Sequence, residues 1–241
     1  MDFNSNQIDI LKDCSVERFV NEVIQHINVT FPFLLNIFNE GLLRKYVKQG
    51  ISQAKSAGIT QRGPVRLYID TMLILGSQFE HNPLWSDFTY NRGNKESQIE
   101  KSMNIYSALQ RYNSSVNGKE GLFYKASIDR FQHMTLDYIE KRNDNIHDIL
   151  NSIHPQKYTF ASKNGINNFI QHVEKYSNEY HAGKYEVKAY ITIISFLFGC
   201  YPSRDFFREG FIINTLVNYI TTRDVIYHNS LVRLYSSLQI S

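Results

Sequence analysis

The stretch 65–85, VRLYIDTMLILGSQFEHNPLW, decides the fold class of this chain. It is the most apolar window in the first half of the sequence, and it contains the only tryptophan, Trp85. Gly63-Pro64 precedes the apolar run, and proline is tolerated in the first turn of a helix because its missing N–H has no intrahelical partner there. Gly76 follows the run and supplies the backbone conformation that ends a helix. The stretch therefore predicts a buried helix over 65–75 and then a loop over 79–88 that folds back on the helices.

A second window, 187–207, reads VKAYITIISFLFGCYPSRDFF and has the same pattern. Residues 187–191 align with 65–69, and Gly199 aligns with Gly76 when one residue is inserted. In both windows an apolar helix ends at a glycine, which lets the chain turn sharply so that a following aromatic residue packs over the helix end. Two explanations are open: a duplicated helical unit, or coincidence, because buried helices that end at glycine are common.

The rest of the chain has helical periodicity, and no segment alternates in the manner of a strand with a hairpin turn. Only residues 157–161 are interpreted as a short extended piece. The sequence therefore predicts an all-α fold, a single compact domain of roughly eight to ten helices. The predicted helices are one that Ser15 caps, then 33–57, 65–75, 95–116, 120–153 as one long helix or a broken pair, 166–180, 185–198, 205–221 and 224–238. The side chains predicted to face inward from 95–116 are Ile99, Met103, Tyr106, Leu109 and Tyr112.

The domain organisation follows from these segments. Residues 1–14 are polar and are predicted to be partly ordered, and residues 15–241 are predicted to form one helical domain. If the two apolar windows are related, the domain divides into halves 15–118 and 119–241, with Asn117-Gly118 as the turn between them.

Composition excludes several classes of protein. The 241 residues are 42% hydrophobic and 20% charged, as in ordinary soluble proteins. The net charge is +3 and the basic residues are scattered, so we predict no nucleic-acid partner. No apolar run is long enough to predict a membrane span, and the N-terminus lacks the features of a secretory signal, so we predict no membrane partner and a cytoplasmic location. The two cysteines, Cys14 and Cys200, have no motif spacing and are predicted to be buried thiols in a reducing compartment.

Catalytic motifs such as GxSxG, HExxH and the Walker phosphate loop are absent from the sequence. The nearest approach to a metal site is Asp144, His147, Asp148 and His154, of which the first three fall on one helical face. Such ligands suit zinc or manganese, so a metal-dependent enzyme is one alternative. Because the segment is polar throughout, a solvated helix face explains it more simply. We therefore predict no catalytic residues, no metal and no cofactor.

An aromatic loop is the candidate partner surface. Its residues are Phe79, His81, Pro83, Leu84, Trp85 and Phe88. Tryptophan and other aromatic residues are enriched at the centres of protein interfaces, which favours a docking role. The competing interpretation is that Trp85 fills the end of the core, and the short loop between Gly76 and Pro83 favours this role for Trp85.

The stretch 65–85 and its lead-in also resemble a family of small, uncharacterised helical accessory proteins from type VI secretion and toxin gene clusters of Gram-negative bacteria. The matching positions are Gly58, Ile59, Tyr68, Ile69, Met72, Leu75, Gly76, Phe79, Pro83 and Trp85. The resemblance implies a non-enzymatic cytoplasmic protein that binds a toxin or secretion-spike component, as an adaptor or as an immunity protein. It implies no catalytic residue. A structural assembly component is a further alternative.

Overall fold

The computed structural model describes residues 4–32, 34, 38–88, 96–177, 183–199 and 206–238, and in these ranges the chain is all-α, as predicted. The short 3-10 helices Phe79–His81 and Pro83–Phe88 form the aromatic loop, and a π-helical segment covers Asn113–Asn117. The α-helices are α1 (Ser5–Thr30), α2 (Glu40–Ser56), α3 (Arg62–Leu75), α4 (Gln98–Tyr112), α5 (Leu122–Gln132), α6 (Leu136–Arg142), α7 (Ile146–Ile153), α8 (Pro155–Phe160), α9 (Ser162–Ser177), α10 (Tyr185–Phe198), α11 (Phe206–Thr222) and α12 (Val225–Ser237).

The two apolar windows form the two central helices, α3 and α10. Helices α2 and α4 pack against α3, whereas α6 and α9 pack against α10. The C-terminal ends of α3 and α10 meet, because a Cβ atom at Gly199 would lie only 2.5 Å from the carbonyl oxygen of Leu75. Gly76 and Gly199 both have positive φ and end their helices, as predicted, but with different ψ angles of 152° and 19°. Whether the two halves are related by duplication stays a prediction.

The contact between α2 and α3 depends on the absence of a side chain at Gly50. A Cβ atom there would lie 2.6 Å from Cγ1 of Ile69 and 3.2 Å from Sδ of Met72, and both of these side chains are buried. Helix α2 runs through Gly50 without interruption.

We expect Gly50→Ala to lower the free energy of unfolding by about 1–3 kcal/mol, because the added methyl group overpacks a filled contact. Gly41→Ala in the same helix is the matched control, since the nearest atom to its Cβ is the side-chain oxygen of Asn39 at 3.3 Å. Denaturant titration of both variants measures the difference. Equal stabilities of the two variants would show that α2 and α3 can separate at no cost.

Several helix boundaries differ from the prediction. Helix α1 begins ten residues before Ser15, because Asn4 and Gln7 form a capping box at distances of 2.9 and 3.0 Å. The first turns of α1 bury no described side chain, so apolar periodicity could not reveal them. Cys14 is consequently exposed rather than buried, and Cys200 lies outside the described residues. Helix α2 begins at Glu40 rather than at residue 33, because Asn39 caps it.

The segment 120–153 is broken rather than one long helix. Asn143 ends α6 in the left-handed conformation with φ of 47°, and Asn145 caps α7. Residues 157–161 are not extended: Pro155 occupies the first turn of α8, which reaches Phe160. In the described residues no helix combines the length and apolarity needed to cross a membrane.

Two buried lysines bind the C-terminal ends of other helices. Lys101 donates from Nζ to the carbonyl oxygen of Ala57 at 2.9 Å, at the end of α2. Lys157 donates in the same way to Leu197 at 3.0 Å, near the end of α10. Helix C-termini carry unpaired carbonyl groups and a partial negative charge, so a cation is favourable there. Each lysine thereby fixes the helix that carries it against a neighbour.

Candidate partner-binding site

The aromatic loop, predicted as a partner surface, belongs mostly to the core. Phe79, Leu84, Trp85 and Phe88 are buried. The ring of Trp85 meets that of Tyr112 edge-on, with 5.1 Å between centroids. This burial confirms the predicted core position of Trp85 and removes these four residues from any docking surface.

The two remaining loop residues are less covered: Pro83 is half-buried and His81 is exposed. The side chain of Asn82 donates to the carbonyl oxygen of Gly199 at 2.8 Å and accepts from the N–H of Leu84 at 3.0 Å, which holds the loop against the end of α10. The loop therefore packs where the C-terminal ends of the two central helices meet.

The four candidate metal ligands of the alternative interpretation are not brought together as a set. His154 is buried, and burial together with the charges of Lys157 and Arg130 lowers its pKa to about 3. Nδ1 of His147 lies 3.1 Å from the hydroxyl oxygen of Tyr158. Asp144 forms an ion pair with Arg142 at 2.8 Å. Among the described residues no three His, Cys, Asp or Glu side chains form a group that could hold a metal ion.

A cavity of about 700 Å³ between α5, α6 and α7 is lined by Asp144 and Asp148 from that candidate set. Asp129, Arg130, His133 and Arg142 also line it. Arg142 is already held by Asp144 and by the hydroxyl of Tyr138 at 2.8 Å. Charged side chains of both signs line this cavity, so its lining does not select a ligand of one charge.

A buried histidine in the second half of the chain, His228, has a structural role. Nδ1 of His228 accepts from the hydroxyl of Tyr190 at 2.7 Å, and Nε2–H donates to the carbonyl oxygen of Gln132 at 3.1 Å. Burial lowers the pKa of His228, which favours the neutral ring that this pairing requires. Both ring nitrogens are satisfied inside the core, so His228 has no free atom to offer a ligand.

Helix α4 presents an apolar stripe to solvent. Ile99, Met103 and Tyr106 are 61%, 63% and 54% exposed, although the sequence placed them inward. Tyr112 is buried, as predicted, and Leu109 is half-buried, whereas Ile105 and Ala108 are buried in place of the other three. The helix thus has two apolar stripes, and only one of them is covered. We call Ile99, Met103 and Tyr106 the outer stripe.

Polar contacts at the start of α4 decide which stripe is covered. Oε1 of Gln98 accepts from the backbone N–H groups of Thr60 and Gln61 at 2.7 and 2.9 Å. The ammonium of Lys101 donates to the carbonyl oxygen of Ala57 at the end of α2. These bonds turn residue 101 toward the core, and residues 99, 103 and 106 consequently face outward.

The chemistry of the outer stripe is that of a protein interface. Its members are spaced by four and three residues and so lie in one row along the helix. Of the exposed residues that flank it, Asn104, Ser107 and Gln110 are uncharged. Glu100 also flanks it, and its carboxylate accepts from the backbone N–H of Ser97 at 2.7 Å. Methionine and tyrosine are enriched at interface centres and charged side chains are depleted there.

A pocket of about 380 Å³ adjoins the outer stripe at Tyr106, which lines it. We call it the side pocket; it lies between α1, α3, α4 and the π-helical segment. Its apolar walls include Phe31, Leu67, Ile74, Leu109 and Tyr112, and its polar lining includes His26, Thr30, Asp70, Gln110, Asn113 and Asn117.

The side pocket contains a histidine–aspartate pair that no local sequence pattern revealed. Nε2 of His26 on α1 lies 3.1 Å from both carboxylate oxygens of Asp70 on α3. Nδ1 of His26 lies 3.5 Å from the hydroxyl of Thr30. Burial raises the pKa of the Asp70 carboxyl, while the charges of His26 and Arg66 oppose that rise. The pair links two helices and places a partly desolvated carboxylate at the pocket wall.

Comparison with protein families, with curated proteins and with solved structures finds no match for this chain. Membership of the secretion-associated accessory family therefore stays a prediction. The candidate site rests on its geometry alone: an exposed apolar row beside a pocket with one carboxylate.

Proposed function

We propose that this chain is a non-enzymatic protein-binding protein whose partner docks on the outer stripe. The observation that carries the proposal is the exposure of Ile99, Met103 and Tyr106 in one uncharged row, each side chain more than half accessible. Burying such side chains stabilises a complex by roughly 25 cal/mol per Å² of apolar surface before the costs of association.

The chemistry of the stripe specifies the partner surface. Because the side chains of the row itself are uncharged, it fits an apolar patch on the partner. The resemblance of the stretch 65–85 supports a toxin or secretion-spike component as that partner, met in the cytoplasm. An adaptor and an immunity protein would use the same surface.

The metal-dependent enzyme has less support. Of its four candidate ligands, His154 is buried and His147 is turned toward Tyr158. A binding role needs no such convergence, and the exposed row meets its requirement directly.

The partner is first sought among the products of adjacent genes by co-purification with the wild-type protein. We expect the triple variant Ile99→Ala/Met103→Ala/Tyr106→Ala to weaken binding of that purified partner by about 2 kcal/mol or more. The reason is loss of the apolar anchors at the centre of the interface. Isothermal titration calorimetry with both purified proteins gives the dissociation constants.

The matched control is Val225→Ala/Ile226→Ala, which removes two other exposed apolar side chains from α12. Both variants should melt within a few degrees of the wild type, because exposed side chains contribute little to stability. Wild-type affinity in the triple variant would refute docking on the outer stripe.

A further inference from the structure

The carboxylate of Asp70 gives the lining of the side pocket a negative charge. Asp70 is the one carboxylate among the described residues that line it, and no lysine or arginine lines it. Its side chain is about one-fifth exposed, so the charge faces a partly dry space. A cation that entered the pocket would restore part of the solvation that Asp70 has lost.

The hydrogen bond with His26 leaves acceptor sites of the Asp70 carboxylate open to a further donor. His26 offers one ring nitrogen to Asp70, at 3.1 Å from each oxygen. A carboxylate has about four acceptor sites, so further donors can bind without displacing the imidazole. Arg66 lies one turn earlier on α3 and is exposed; it influences Asp70 through its charge but does not line the pocket.

The walls select the shape of the cation. The side chains of Leu67, Ile74 and Leu109 give the pocket apolar walls against which an aliphatic stem can pack. Tyr106 and Tyr112 add aromatic rings. A guanidinium stacks on aromatic rings, is weakly hydrated and carries five donors in a planar fork, whereas an ammonium is compact and strongly hydrated.

We propose that the side pocket receives an arginine side chain from the partner bound on the outer stripe. Its source rests on the proposed function, because Tyr106 belongs to both the stripe and the pocket. The guanidinium pairs with Asp70 and reaches the hydroxyl of Thr30 and the side-chain amides of the π-helical segment. The stripe supplies apolar affinity, and the pocket selects among apolar partners those with an arginine beside the contact.

The test uses the whole protein and three small probes, the amides of Nα-acetyl-arginine, Nα-acetyl-lysine and Nα-acetyl-citrulline. Each is titrated into ¹⁵N-labelled protein while backbone amide signals are followed. We expect the arginine probe to shift the signals of residues 26–31 and 106–117 in a saturable way. The citrulline probe, which has the same shape without the charge, should bind at least about tenfold more weakly, since hydrogen bonds to a charged group contribute about 1.5–3 kcal/mol. The lysine probe should also bind more weakly than the arginine probe.

Two variants assign the response to the pocket. Asp70→Asn should weaken the arginine probe at least about tenfold, again because a charged hydrogen bond is lost. Asp148→Asn, which changes a carboxylate in the other cavity, should leave the binding of the probe unchanged. Tyr106→Ala keeps the His26–Asp70 contact between helices and should weaken binding of the arginine probe several-fold. It therefore tests the pocket even if Asp70→Asn is unstable.

Equal binding of arginine and citrulline probes, or full binding to Asp70→Asn, would overturn the proposal, and equal binding of the lysine probe would overturn the choice of guanidinium. The probe titrations are made without the protein partner, so they can be interpreted whether or not the outer-stripe calorimetry supports docking. If the triple variant binds its partner normally while the arginine probe still binds, docking on the stripe fails and the pocket stands.

Discussion

Replacing Trp85 with alanine should lower the free energy of unfolding by about 3–5 kcal/mol. The indole is fully buried, and its ring centre lies 5.1 Å from that of Tyr112 and 6.5 Å from that of Phe160. The ammonium of Lys157 lies 5.1 Å from the centre of the same ring. Alanine would leave a large cavity and would remove the aromatic face beside a buried cation. Urea denaturation followed by far-ultraviolet circular dichroism measures the change, because Trp85 is the only tryptophan and its fluorescence is lost with it.

Two further variants separate packing from other causes. Tyr106→Ala removes a large aromatic side chain from the surface and should change stability by no more than about 0.5 kcal/mol. Trp85→Phe should be intermediate, since a ring remains and Nε1 of Trp85 has no acceptor among the described residues that would be lost. An unchanged denaturation midpoint for Trp85→Ala would contradict the core position of this residue.

The central helices were predictable because their local and tertiary signals agree. Helix α10 occupies 185–198, as predicted, because a continuous apolar run ends at Gly199 and nearly every side chain in it is buried. Helix α12 was predicted within a residue at each end, since Asp224 caps it by accepting from the N–H of Ile226 at 2.9 Å. Where a helix is buried on all sides, its rotation need not be known to find its ends.

The rotation of α4 shows where sequence periodicity fails. Residues 99, 103 and 106 form as regular an apolar row as 105, 108 and 112, so spacing alone gives no reason to choose between them. The choice is made by Gln98 and Lys101, which bind backbone groups around the end of α2 more than 35 residues earlier in the chain. The exposed row that carries the proposed function is therefore visible only when α2, α3 and α4 are packed together.

The position of the aromatic loop and the pairing of His26 with Asp70 were hard to predict from the sequence for a related reason. The sequence favoured a core position for Trp85 but placed the other loop residues on a candidate partner surface. The loop is held against the core by the bond from Asn82 to Gly199, 117 residues away, which no local pattern shows. His26 and Asp70 are 44 residues apart on different helices. Each alone is an ordinary polar residue of an amphipathic helix, and only the crossing of α1 and α3 makes them a pair.

Gly199 lies where the two central helices meet, and Gly199→Ala should lower the free energy of unfolding by about 2–5 kcal/mol. Two costs add. Its φ of 66° is in the left-handed region, where a Cβ atom costs roughly 1–2 kcal/mol. The new Cβ would also lie 2.5 Å from the backbone oxygen of Leu75 and 3.3 Å from Cζ2 of Trp85, and overpacking of this kind typically costs about 1–3 kcal/mol. A backbone oxygen at the end of a buried helix cannot rotate away as a side chain can.

The control for Gly199→Ala is Gly63→Ala, at a glycine in the first turn of α3 where an added Cβ meets no atom within 4 Å. That variant should be neutral or more stable by up to about 1 kcal/mol, because alanine restricts the unfolded chain and favours helix. Guanidinium denaturation of both variants at one temperature gives the two differences. The junction also predicts coupling: in the double variant Gly199→Ala/Trp85→Ala the loss should be smaller than the sum of the two single losses, because removing the indole opens space beside the new methyl group. Strict additivity would mean that the clash with Leu75 alone sets the cost at Gly199, and a stable Gly199→Ala would mean that α3 and α10 do not meet at this point.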